Sequence, residues 1–150
     1  SMSSNSIGKV LSLYVGTQKG IGKTPIDRVE LIADHGVNGD IHAGRDPKRQ
    51  VSLIASEVLS NLAGQDINYS AGDLSSNLLT ENIPLDSLEP GTQLKIGSAV
   101  LEIVEARKPC GTLTKLDKRL PKLLYRRCGQ LARVVKGGTI QAGLTIEVLK

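Results

Sequence analysis

Apolar and polar residues alternate along this chain in short stretches, and glycine-bearing turns separate them. Ile7 to Val15, with Val10, Leu11, Leu13 and Val15 apolar, predicts a first strand. Gly16 to Thr24 carries three glycines and two lysines and reads as a loop closed by Pro25. Val29-Glu30-Leu31-Ile32 predicts a second short strand, and Arg49 to Ile54 another. Ser56 then caps a helix that reaches Leu62 and ends at Gly64. Leu74 to Thr80 predicts a strand with polar residues in its middle, and Pro84 to Gly91 a loop with one helical turn around Leu85 to Leu88.

The clearest signal runs from Thr92 to Glu105. Gln93 to Ile96 and Ala99 to Val104 are β-patterned and flank Gly97-Ser98, a two-residue hairpin turn. After Cys110 the spacing turns helical through Leu113, Leu116, Leu120, Leu123 and Leu124, with Pro121 opening a second short helix that Gly129 ends. Ala132 to Val135, Thr139 to Gln141 and Leu144 to Leu149 predict closing strands. Roughly seven or eight short strands with two or three short helices predict a mainly β fold, a small antiparallel or mixed β-barrel with helices over its openings. One domain over residues 7–150 accounts for the pattern, while polar Ser1 to Ser6 reads as an expression scar plus a loose, disordered terminus.

Composition narrows the partners. The apolar content is aliphatic, with no Phe, no Trp and three Tyr, which suits strands and weighs against a base-stacking nucleic-acid surface. A net charge of +4 favours an anionic partner. Cys110 and Cys128, without a secretory leader, read as free thiols of a reducing compartment, the cytoplasm. No apolar run has the length of a membrane span.

Candidate chemistry gathers in a few places. The stretch Val104-Glu105-Ala106-Arg107-Lys108-Pro109-Cys110-Gly111 delivers a thiol to the end of a strand beside two cations, which favour the nucleophilic, soft-metal-binding thiolate. Cys110 could equally be a packed core thiol, the reading that suits Cys128. In the polar loop Asp34 to Arg45, Asp40 and His42 are metal ligands, a general-base pair or turn formers, and His35 reads as surface. Arg45, Lys48, Arg49 and Gln50 form a cationic cluster with planar donors suited to phosphate, and Asn77 is a mid-strand amide that must find partners. The chain has no GxxxxGK[ST] or GxGxxG loop.

The ordered set G-V-N-G-D-I-H-A-G, R-Q-V-S-L, S-N-L-L-T, P-G-T-Q-L-K-I-G-S-A-V-L-E-I-V-E-A-R-K-P-C and L-A-R-V-V-K-G-G-T-I-Q-A-G resembles the MOSC family, domains similar to the C-terminal part of molybdenum-cofactor sulfurase. The resemblance spans residues 7 to 149 and is to stand-alone bacterial members. It implies a β-rich barrel and one essential cysteine, Cys110, as molybdenum ligand or persulfide carrier. It also places Asp40, His42, Arg49, Gln50, Asn77 and Arg107 around the phosphorylated pyranopterin of the molybdenum cofactor, molybdopterin. The implied activity is an oxidoreductase that reduces N-hydroxylated substrates with electrons from a separate donor protein. The alternative is a carrier of persulfide sulfur or cofactor that delivers to another enzyme. Two departures stand out: Ser75-Ser76-Asn77 where many members read G-E-N, and Gly143-Leu144 where many read G-D.

Overall fold

A computed structural model describes residues 7–20 and 22–149, so the expectation for Ser1 to Ser6 lies outside the described residues. The strands are β1 (Ile7–Val15), β2 (Thr24–Ile26), β3 (Arg28–Ile32), β4 (Gly36–Val37), β5 (Val51–Ala55), β6 (Leu78–Glu81), β7 (Gln93–Ile96), β8 (Ala99–Ala106), β9 (Gln130–Lys136), β10 (Gly138–Gln141) and β11 (Thr145–Leu149). The helices are α1 (Ser56–Ala63), α2 (Gly111–Thr114) and α3 (Leu120–Leu123), with a single 3-10 turn at Leu85–Ser87.

Seven strands close a barrel in the order β11-β7-β8-β9-β5-β6-β1, and β1 pairs back to β11. A closed ring with an odd number of strands cannot alternate direction all the way round, so one neighbouring pair must be parallel. That pair is β5 and β6, joined by the long crossover through α1 that a parallel connection requires. Strand β2 extends β1, while β10, β3 and β4 form a separate three-stranded sheet. Leu13, Leu53, Leu78, Leu94, Leu101, Ala132, Val134 and Ile146 fill the interior, all at most 1% exposed. Closure removes the edges an open sheet would leave for aggregation. The mixed barrel expected from the alternation is the fold observed.

The β7–β8 hairpin turns at Gly97-Ser98, with Gly97 at φ +58°, the left-handed geometry such turns need. Three expectations shift. The strand expected from Leu74 begins at Leu78, because Ser75 takes φ +63° and the Ser76 N–H turns back to the Ala71 carbonyl. Ser56 is the first helical residue of α1 rather than its cap; Ala55 holds the cap position, with no side-chain hydrogen bond. The helix expected to end at Gly129 stops at Leu123, and the chain reverses through Arg126 at φ +61°. Pro121 is its second residue, where a missing N–H costs nothing.

Candidate functional site

Four of the residues singled out in the sequence line one pocket. Strand β8 carries a register shift between Ile103 and Glu105, a bulge that re-aims its end. Just beyond it, Arg107 is buried; its backbone N–H donates to Gly129 O at 3.0 Å and its Nη1 to Leu74 O at 2.6 Å. Cys110 follows in extended geometry at the start of α2 and is exposed, which overturns the packed-core reading of its thiol. Arg49 precedes β5, and His42 comes from the polar loop before it. Cys110, Arg107, Arg49 and His42 surround a cavity of about 320 Å³ whose lining also includes Lys19, Lys23, Lys115, Thr112 and Ser75. That volume lies in the range of small-molecule sites.

Cations outnumber anions in this lining: Asp73 is its one carboxylate, and Lys23 is paired to Asp40 behind it. Burial and the Arg107 charge both push the Arg49 guanidinium below its usual value, though Arg49 stays cationic at any working pH. Its Nε is buried and has no hydrogen-bond partner. Two desolvated guanidiniums with an unused planar donor call for an anion, since a buried donor left unpaired costs about 1–3 kcal/mol.

The thiol is tuned toward thiolate. Burial alone would raise the Cys110 pKa, but the Thr112 hydroxyl, 2.7 Å from Sγ, outweighs it together with the Thr112 and Leu113 N–H groups and Arg107. The net direction is down. Cys128 goes the other way: it is 1% exposed, and burial pushes its thiol up.

Asp40, Gln50 and Asn77 do not line the cavity; Asp40 and Asn77 are buried behind Lys23, and Gln50 faces a separate concavity beside His35. Asp40 accepts from Gly16 N at 2.9 Å, from Asn77 Nδ2 at 3.1 Å and from the Lys23 ammonium at 2.8 Å on each oxygen. Burial would raise its pKa, yet His42, Gly16 and Lys23 hold the carboxyl far below the usual range. Lys23 occupies the place a cation would take, so the metal-ligand reading of Asp40 fails. Asn77 precedes β6 rather than sitting mid-strand. Its amide accepts from Ser52 N at 3.0 Å and donates to Tyr14 O at 3.0 Å, linking β5 to β1 where β6 has not begun. Gln50 Oε1 accepts from Val134 N at 2.9 Å.

The sequence reading missed Lys23, Thr112 and Lys115. Lys23 lies in a glycine loop that offered no periodicity to interpret, and only the fold brings it beside Asp40. His35 is half-buried, with its ring under Gly44. It borders a second concavity lined by Asp34, Arg45, Asp46 and Gln50, which has no thiol. Among the described residues no three His, Cys, Asp or Glu gather as a metal-binding group. No helix among them is long and apolar enough to cross a membrane.

The site is thus a thiolate-prone cysteine beside two guanidiniums at the rim of a closed β-barrel. Residues 38–147 match the MOSC domain, and the chain belongs to that family, which is associated with molybdenum-cofactor binding. No curated protein matches the sequence. Among solved structures, it is similar to the YuaD protein from Bacillus subtilis at 22% identity and TM-score 0.85, over 98% of both chains. YiiM from Geobacillus stearothermophilus is similar at 21% identity and TM-score 0.77, over 95% of this chain and 75% of that one. YiiM from Escherichia coli is similar at 19% identity and TM-score 0.72, over 99% of this chain and 71% of that one. These likenesses establish the shared fold.

Proposed function

We propose that this protein binds the molybdenum cofactor in the Cys110 pocket and reduces N-hydroxylated substrates. The observation that carries the reading is the convergence of an exposed, thiolate-prone Cys110 with Arg49 and Arg107 on one cavity. The donor set fits a phosphorylated pterin: a soft thiolate for molybdenum, and planar guanidinium donors for phosphate. When bound, that cofactor supplies two-electron redox chemistry at a metal with an open position. Cys110 would hold the metal, while Arg49 and Arg107 would take the anionic end of the pterin.

Asp40 and Asn77 act indirectly by fixing the wall: the carboxylate holds Lys23, and the amide ties Asp40 to the barrel strands. The net reaction takes N–OH to N–H and water, consuming two electrons and two protons. A separate electron-donor protein would supply the electrons. The exposure of Cys110 supports a second reading, in which the thiol carries persulfide sulfur to an acceptor protein.

Elemental analysis of protein from molybdenum-sufficient cells, wild type beside Cys110→Ala, tests the first reading together with an N-hydroxy reduction assay. Molybdenum and reductase activity in the wild type, both lost in the variant, are the expected result. Cyanide-releasable sulfur with neither molybdenum nor reduction would replace it with the carrier reading.

A further inference from the structure

Two contacts of His42 Nδ1 bear on which ring nitrogen carries the proton, Lys23 Nζ at 2.9 Å and Asp40 Oδ2 at 3.5 Å, and the shorter has the hydrogen-bond distance. Lys23 Nζ lies 2.8 Å from each Asp40 carboxylate oxygen and 2.9 Å from His42 Nδ1. An ammonium has three hydrogens and no lone pair, so two go to the carboxylate and the third to the ring. Nδ1 is then an acceptor, and the proton of the neutral imidazole sits on Nε2. The opposite arrangement removes a proton from Lys23 and protonates Nδ1. It would leave Asp40, whose side chain is 0% exposed, as a carboxylate facing a neutral amine, which a buried site does not tolerate cheaply. His42 Nε2 takes no partner among the described residues, and its ring, 33% exposed, lines the Cys110 cavity.

We propose that Lys23 is a positioning residue that fixes His42 as a neutral Nε2–H donor facing the Cys110 cavity, there to hydrogen-bond an acceptor oxygen of the bound ligand. His42 is then neither a metal ligand nor a base. Resting on the reductase reading, the oxygen served is the one leaving the N–O group, where a fixed donor stabilises developing negative charge.

The tautomer is measurable without any cofactor. The chain has two histidines, so nitrogen-15 NMR of histidine-labelled protein carrying His35→Gln isolates His42. The expected spectrum has a protonated Nε2 and an unprotonated Nδ1, and it becomes a mixture of tautomers in Lys23→Met. Should Lys23→Met not fold, Lys23→Met with Asp40→Asn removes both charges and serves instead. Protonated Nδ1 in the parent, or a fixed Nε2–H that survives loss of Lys23, overturns the proposal. In cofactor-loaded protein, His42→Phe lowers kcat roughly 10²-fold with KM little changed, whereas His42→Gln, which retains an N–H donor, recovers most of that loss. Equal losses in the two overturn the donor role. A fixed tautomer in a wild type that reduces no N–O bond overturns the reductase reading alone.

Discussion

The backbone N–H of Arg107 donates to the carbonyl of Gly129 at 3.0 Å, so the chain leaves β8 and returns to β9 at one point beside the pocket. Everything between, Cys110 included, is an excursion whose base is pinned there. Gly129 sits at φ +89°, and a Cβ on it would drive into the backbone carbonyl of Leu53 on β5. Gly129→Ala therefore costs roughly 3 kcal/mol, read as a lowered urea midpoint with unchanged slope.

Thr112 supplies the side-chain hydrogen bond that favours the Cys110 thiolate. Losing a hydrogen bond that favours the charged form costs at most about 1.5 kcal/mol and moves the thiol's pKa up. In Thr112→Val, iodoacetamide labelling of Cys110 at neutral pH slows by up to about tenfold, and its pH midpoint moves up. Cys128 resists the reagent in both proteins until they unfold, because it is buried and its thiol titrates high.

Asp40 carries a pH signature. Its folded pKa is depressed, so its stabilisation is complete above the unfolded value of about 4 and drains away as pH falls toward the folded value. Lys23, pushed down by burial, adds a rise in stability as pH climbs through the range just below the ordinary lysine value. Asp40→Asn leaves a buried ammonium without its carboxylate and costs about 3–5 kcal/mol at pH 7. Denaturation across pH should also show a shallower acid slope below about pH 4 in this variant.

Inorganic phosphate is the simplest probe of the Arg49 and Arg107 cations that line the cavity. At ten times its Kd, phosphate stabilises the wild type by about 1.4 kcal/mol, seen as a rise in Tm that added sodium chloride diminishes. Arg49→Gln abolishes the rise. A phosphate response that persists in that variant would assign anion binding to other cations.

Ser75 occupies the left-handed conformation, at φ +63°, which glycine adopts without the Cβ penalty. Ser75→Gly relieves that strain and stabilises the fold by roughly 1 kcal/mol in thermal unfolding.

The strands were legible where one face is buried. The β7–β8 hairpin shows apolar alternation around Gly97-Ser98, and both arms form as expected. Legibility was poorer where a side chain adds to what the backbone does. The Asn77 N–H donates to Ser52 O at 2.7 Å and its carbonyl accepts from Tyr14 N at 2.8 Å, as a strand residue's would. Its side-chain amide doubles both links through Ser52 N and Tyr14 O, which spacing alone does not reveal. Within the site, Cys110 and its adjoining cations were readable from local chemistry alone. Lys23 was not, because its meaning comes from Asp40, seventeen positions away in sequence and joined to it only by the fold.

The parity of the barrel has a consequence for how this pocket came to have a complete rim. An uneven ring obliges the chain to travel its full height between β5 and β6, and that detour brings the Leu74 carbonyl to the Arg107 guanidinium. One stretch of spare backbone thus closes the ring and fastens a cation that lines the pocket. A scaffold with an even ring could turn back with a short hairpin at that position, and would have to recruit the Arg107 anchor from somewhere else.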